Sequence, residues 1–204
     1  MNPQVSRRSV LKAVPAAGVA GLLPGCATTI AAGAGPPSLY RTEDAARILA
    51  VAREIIREDR IASLVTIDAN GVPRVRPVGV APVGDDLVFW IGTRRRSRKV
   101  TQVRGNPNAA LLFNFDDIAG NFENAYYASF MGTATAHTDE ATLSLRQPPE
   151  QLRRALWPDY PNDFAAIIFR PRWLEVYGKG IQPADDSWQP QGIMVPAPPL
   201  AASR

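Results

Sequence analysis

The sequence predicts a mainly β fold, a small closed or split β-barrel with flanking helices. Three observations carry this. Six or seven short runs rich in Val, Ile, Phe, Tyr and Thr recur between residues 61 and 177. Tight-turn signals separate them, among them Asn70-Gly71 and Gly84-Asp85-Asp86. Helical periodicity is confined to a few short stretches. With 204 residues, 46% hydrophobic and 21% charged, the chain suffices for one domain with a substantial core.

Taken in order, Thr42 is placed to cap a helix, with Glu43 and Asp44 in its first turn. Ala45, Ile48, Leu49, Ala52, Ile55 and Ile56 then form one apolar face as far as Asp59, a lid for a sheet. Ile61–Asp68 is a strand, Ala69-Asn70-Gly71 a hairpin turn and Val72–Ala81 the return strand. Arg74 and Arg76 alternate with Val75 and share a face. A third strand starts at Leu87, and the three are expected to form an antiparallel meander. Gly92 and Thr93 are expected to end that strand, and Val100–Arg104 to form a short helix. Ala109–Phe115 and Tyr126–His137 are further strands, followed by short helices at Asp139–Arg146 and Glu150–Leu156. Phe164–Phe169 and Arg172–Tyr177 are two last strands around Arg170-Pro171. Beyond them the chain turns Pro-rich and polar, with Trp188 as its one large anchor. Three segments result: residues 1–36, a barrel domain over residues 37–182, and a C-terminal tail over residues 183–204.

The third strand runs into Thr93-Arg94-Arg95-Arg96-Ser97-Arg98-Lys99, five cations and two hydroxyls in seven residues. Ser97, Arg98 and Lys99 fall at a helix N-terminus, where free N–H groups favour an anion. Arg offers a planar fork to phosphate and Lys a point charge. The run reads as a seat for a phosphorylated cofactor, against the alternative of a solvated basic loop.

The net charge of +4 is not a nucleic-acid signature. Residues 1–36 hold Arg7, Arg8 and Lys12 and none of the 19 acids, so the remainder is nearly neutral. One cysteine excludes an internal disulfide, and one histidine, His137, excludes a histidine-rich metal site. Ser6-Arg7-Arg8-Ser9-Val10-Leu11-Lys12, followed by an apolar stretch to Leu23, resembles a twin-arginine export signal. Leu23-Pro24-Gly25-Cys26 resembles a lipobox, which implies a lipid anchor on Cys26. The alternative is an ordinary signal peptide cleaved between Ala27 and Ala32. The expectation is a periplasmic protein or a membrane-anchored lipoprotein, tethered through the small residues from Thr28 to Ser38.

The order of signals, an Asn-Gly turn, Arg76-Pro77, Gly92-Thr93, Ser97-Arg98-Lys99 and Asn106-Pro107 before an apolar strand, resembles the pyridoxamine 5'-phosphate oxidase-like superfamily. These are FMN-binding split barrels, and the general stress protein 26-like branch is the nearest in pattern. The resemblance implies an FMN-dependent oxidoreductase acting on a small molecule as a homodimer. It places Arg76, Thr93, Ser97, Arg98 and Lys99 at the cofactor phosphate. Pro77, Val78, Gly79 and Val80 lie along the flavin ring, with Gly92 beside them. Tyr177 reaches the flavin from the partner subunit. Tyr127 stands where the family has a glutamine. Backbone N–H groups near Val78–Val80 are expected at the acceptor edge of the ring. The lysine of the vitamin-B6 oxidases falls on Ala81, and their Arg-Leu-His segment has no counterpart, so vitamin-B6 synthesis is not expected. No catalytic side chain is singled out. Two alternatives stay open: a deazaflavin-dependent reductase using Arg94 and Arg95 for a longer tail, and a non-catalytic flavin or haem carrier with His137 as iron ligand. Trp90, Trp157 and Trp173 read as packing residues.

Overall fold

A computed structural model describes residues 44–115, 124–182 and 190–195. Thr42, Glu43, Trp188 and the whole of residues 1–36 lie outside the described residues. Helix α1 (Ala45–Glu58) starts at Asp44 and buries Ile48, Val51, Ala52, Ile55 and Ile56, the face its periodicity predicts. The strands are β1 (Ile61–Ile67), β2 (Pro73–Gly79), β3 (Phe89–Arg94), β4 (Asn108–Phe115), β5 (Tyr126–His137), β6 (Phe164–Tyr177) and β7 (Gln191–Met194). Helix α2 (Arg98–Gly105) joins β3 to β4; α3 (Glu140–Leu145) and α4 (Glu150–Leu156) join β5 to β6.

All pairings are antiparallel, in the order β2-β1-β4-β5-β6-β3, with β7 also on β6. The β1–β2 hairpin forms as expected, with Gly71 at φ +77°. The third strand departs from expectation. β3 forms no ladder with β2; it pairs with β6 at the far side of the sheet, Phe89 opposite Phe169. The sheet curls so that its two ends meet, where the Ala81 N–H donates to the Trp90 carbonyl (3.0 Å). This is a split barrel, not a three-strand meander. Gly92 and Thr93 do not break β3 either; they sit in it opposite Ala166 and Ala165. Leu87 belongs to the preceding turn, at φ +52°.

The two strands expected around Arg170-Pro171 are one strand, β6. The irregularity is absorbed by a register shift at Met131/Gly132 on β5. The extra residue there is Arg172 of β6, so Pro171 flanks the bulge, a place where a strand tolerates a missing N–H. A Cβ at Gly132 would lie 2.1 Å from the Arg170 carbonyl oxygen, so no other residue fits there without moving the backbone. Residues 191–194 of the Pro-rich tail form β7 against β6, with Gly192 under the Trp173 indole.

The barrel interior is aromatic. Phe89 packs against Phe130 (centroids 4.9 Å apart), Phe169 (5.8 Å) and Phe113 (5.9 Å), with Leu64, Leu111 and Leu174 around them. α1 closes one end. A smaller cluster, Leu143, Trp157, Phe164 and Ala166, sits on the outer face of β3 and β6 beneath α3 and α4.

Lys179, just after β6, clasps α1. Its ammonium donates to Glu54 (2.8 Å) and Glu58 (2.9 Å) and lies 4.7 Å from the Tyr126 ring centre. The hydrogen bonds that Lys179 donates to these carboxylates raise its own pKa and lower that of Glu58. A lowered carboxylate pKa contributes stability above its unfolded value, lost as pH falls through the folded value; a raised lysine pKa contributes below its unfolded value, lost as pH rises through the folded one. The clasp is therefore complete between the ordinary values, 4.5 for Glu and 10.5 for Lys. Lys179→Met is expected to lower the melting temperature at neutral pH, and the difference from wild type should shrink as Glu58 is protonated.

Candidate functional site

Arg76 points to the same face as Arg74, as its alternation predicts, but the two have different company. Arg74 is neutralised by Asp68, 2.7 Å away. Arg76 is half-buried and held by neutral groups. Its Nη1 donates to the Thr66 hydroxyl (2.9 Å) and its Nη2 to the Gln102 side-chain carbonyl (2.9 Å). Thr66 in turn donates to the same Gln102 oxygen (2.8 Å), which closes a ring of three side chains from β2, β1 and α2. Sequence reading missed Thr66 and Gln102. Thr66 is fully buried, on the same strand face as the apolar Ala62 and Leu64, and a hydroxyl in that position was the available signal.

Arg98 and Lys99 open α2. Ser97 is the N-cap with an extended backbone, but its side chain makes no capping bond; its hydroxyl pairs with that of Thr93 (3.1 Å), itself 5% exposed. No acid occupies the first turn of α2, and the Arg98 and Lys99 N–H groups precede the first helical bonds. Burial first, then Arg98 and Arg74, push the Arg76 pKa down. Burial first, then Arg76, do the same for Lys99. Three cations thus feel one another, and among the described residues no salt bridge joins any of them to a carboxylate. Such a cluster favours a bound anion, since each like charge destabilises the others. Arg94, Arg95 and Arg96 are exposed.

The segment 77–80 divides by strand alternation. Val78 and Val80 are buried inside the barrel, whereas Pro77 and Gly79 face outward. The Val80 N–H donates to the Arg60 carbonyl (2.9 Å), so the register turns the Val78 N–H to β1 as well. Pro77 has no N–H. Of the backbone donors expected at a ring edge, this geometry leaves that of Gly79 on the open edge of β2.

Gly92 lies on the outer face of β3, where a Cβ would stand 2.9 Å from the Trp157 ring. It borders a cleft of about 630 Å³ that also includes Gly79, Val80 and Ala81. Trp157 and Trp173 are buried packing residues, as expected; Trp90 is half-buried and lines the cleft.

Tyr177 lies elsewhere in the chain. It sits opposite Tyr127, with stacked rings 6.0 Å apart, and Tyr127 sits opposite Asn114. Thr66 faces Ala109 on the same β4, five positions away, which is roughly 17 Å along a strand. Burial first, then Glu175 and Tyr177, raise the Tyr127 pKa. The His137 Nε2 pairs with the Thr135 hydroxyl (2.8 Å), and its Nδ1 lies 3.6 Å from the Asp139 carboxylate.

Comparison with known proteins agrees with this architecture. The family model described as pyridoxamine 5'-phosphate oxidase matches residues 48–177. No curated protein sequence matches the chain. Among solved structures, a Clostridium acetobutylicum protein related to general stress protein 26 of Bacillus subtilis superposes with a TM-score of 0.58 at 17% identity, over 73% of this chain and 95% of that one. General stress protein 26 of Bacillus anthracis gives 0.53 at 22% identity, over 72% and 98%. A haem-binding protein of Mycobacterium smegmatis gives 0.53 at 14% identity, over 72% and 57%. A family match over well more than half of the chain, on a barrel of this topology, places this protein in the pyridoxamine 5'-phosphate oxidase family.

Proposed function

We propose that this chain binds FMN and serves as a flavin-dependent oxidoreductase for a small molecule. One observation carries the reading: Arg76, Arg98 and Lys99 gather without a carboxylate at the N-terminus of α2, beside the paired Thr93 and Ser97 hydroxyls. That donor set suits a phosphate dianion and exceeds what a neutral ligand needs. Arg76 is pre-oriented by Thr66 and Gln102, so little ordering cost attends binding. Bound FMN supplies one- and two-electron transfer, while the protein sets access and the field around the ring. Pro77 and Gly79 present little side-chain bulk where a flat ring would lie.

Ala81 supports an activity other than vitamin-B6 oxidation, because no cation replaces the family's lysine there. The pairing of His137 Nε2 with the Thr135 hydroxyl argues against haem ligation. The reading includes a homodimer. Tyr177 is too far from its own chain's Arg76 to share one phosphate-bearing ligand, whereas a partner copy could bring it there. Val75 and Ile61, 64% and 56% exposed, offer apolar surface for such a contact. It also includes twin-arginine export, which carries folded proteins and suits one that takes up its cofactor before crossing the membrane.

The test is a spectrum of the purified protein with calorimetric titration of FMN. Yellow protein, or micromolar uptake of added FMN, is expected; colourless protein that takes up none overturns the reading. Gln102→Leu should keep the fold and weaken FMN binding roughly tenfold, since hydrogen bonds to a charged group are worth about 1.5–3 kcal/mol and Arg76 keeps its bond to Thr66. An unchanged affinity in that variant would remove Gln102 from the argument.

A further inference from the structure

The cleft between α4 and β3 has an unusual lining for a phosphate-rich family. Trp90 and Trp157 form part of its wall, and Leu152 and Leu156 of α4 complete it. α4 buries none of its residues, and these two leucines stay 48% and 47% exposed. They form an apolar wall without a filling. At one end, Arg60, Val80, Ala81 and Pro82 also bound a second cavity of about 180 Å³, which Arg53 and Arg57 line from α1.

The cations at this end lack firm partners. Arg53 donates to the Asp85 carbonyl (3.0 Å), lies 4.0 Å from its fully exposed carboxylate, and has a buried Nε with no hydrogen-bond partner. The acids of the same helix, Glu54 and Glu58, are held by Lys179. Arg146, on the opposite wall, donates to the Pro82 carbonyl and to no carboxylate. An apolar chamber thus opens onto uncompensated guanidinium groups, and Arg60 borders both cavities.

We infer that this cleft binds a flat aromatic carboxylate, its rings against Trp157 and Leu156 and its acid group at Arg60. A carboxylate matches the guanidinium fork, and a planar apolar body matches the walls. The inference rests on the flavin reading for its functional meaning: one end of the cleft reaches Gly79 and Val80, along which the flavin ring would lie, so an occupant held at Trp157 and Leu156 would stand next to the ring.

The test uses the full chain, its FMN content first recorded by absorbance. FMN-loaded and FMN-stripped protein are titrated with 2-naphthoate and with methyl 2-naphthoate, by calorimetry and by quenching of tryptophan emission. The acid should bind at least about tenfold more tightly than the ester. Arg60→Gln should erase that advantage and leave the ester unchanged. Leu156→Asp, at a half-exposed position that the core does not use, should weaken both ligands. Equal affinities for acid and ester, no binding of either, or indifference to Leu156→Asp overturns the inference. A protein that binds naphthoate but no FMN refutes the flavin reading while supporting the cleft, and one that binds FMN but no naphthoate does the reverse.

Discussion

Replacing both Arg98 and Lys99 by Ala is expected to yield a folded protein that purifies without colour. The fold should survive because α2 is anchored by Val100 and Val103, 2% and 3% exposed, and neither replaced side chain belongs to the core. The ligand should be lost because each charge-assisted bond to a phosphate contributes about 1.5–3 kcal/mol, and two are removed together. That corresponds to roughly 10²- to 10⁴-fold in affinity, toward the lower end for so exposed a residue as Arg98. Calorimetric titration of FMN into the apo variant measures it. Arg94→Ala is the control: Arg94 is exposed and shares nothing with the Arg76 ring, so its affinity should stay close to wild type. A double variant that retains its full flavin complement would move the phosphate elsewhere.

Gly132→Ala is expected to destabilise the barrel severely. The added Cβ would stand 2.1 Å from the Arg170 carbonyl oxygen and 2.7 Å from the Pro171 Cα. Both are backbone atoms, so no rotamer change relieves the collision; β5 and β6 must part at the bulge. Overpacking a tight site costs typically about 1–3 kcal/mol, and this geometry belongs at or above the top of that range. Urea unfolding followed by circular dichroism reads the loss. Gly105→Ala, with nothing within 4 Å of the added methyl at the end of α2, should be neutral or slightly stabilising. Equal stabilities for the two variants would show that the bulge yields.

Much of this architecture was legible in the residues, for reasons that can be named. Helix α1 announces itself through apolar spacing, and the hairpin through Asn70-Gly71, because both signals are local. The pairing of β3 was not legible. Its apolar run Phe89-Trp90-Ile91 says that it is buried, and nothing in it says by which neighbour. Gly92 looked like a terminator because a glycine weakens a strand; here it makes room for Trp157, a residue 65 positions away. The Pro-rich C-terminal segment concealed β7, whose four residues are too few to show alternation.

The candidate site divides in the same way. Ser97-Arg98-Lys99 stand together in sequence and together in space. Arg76 was found by its alternation with Val75, but its two partners were not. Thr66 and Gln102 are ordinary polar residues whose meaning depends on three elements converging, which no one-dimensional spacing records. Tyr127 and Tyr177, fifty positions apart, meet only through the β5–β6 register.

The late partner of β3 also bears on how the chain is made. Phe89 waits for Phe169, about eighty residues downstream, before it gains a lateral neighbour. During synthesis the basic loop and its strand therefore leave the ribosome long before they can be stitched into place, and a nascent chain stopped short of Phe164 carries an unpaired hydrophobic edge. β3 gains its ladder only once residues 164–169 have emerged.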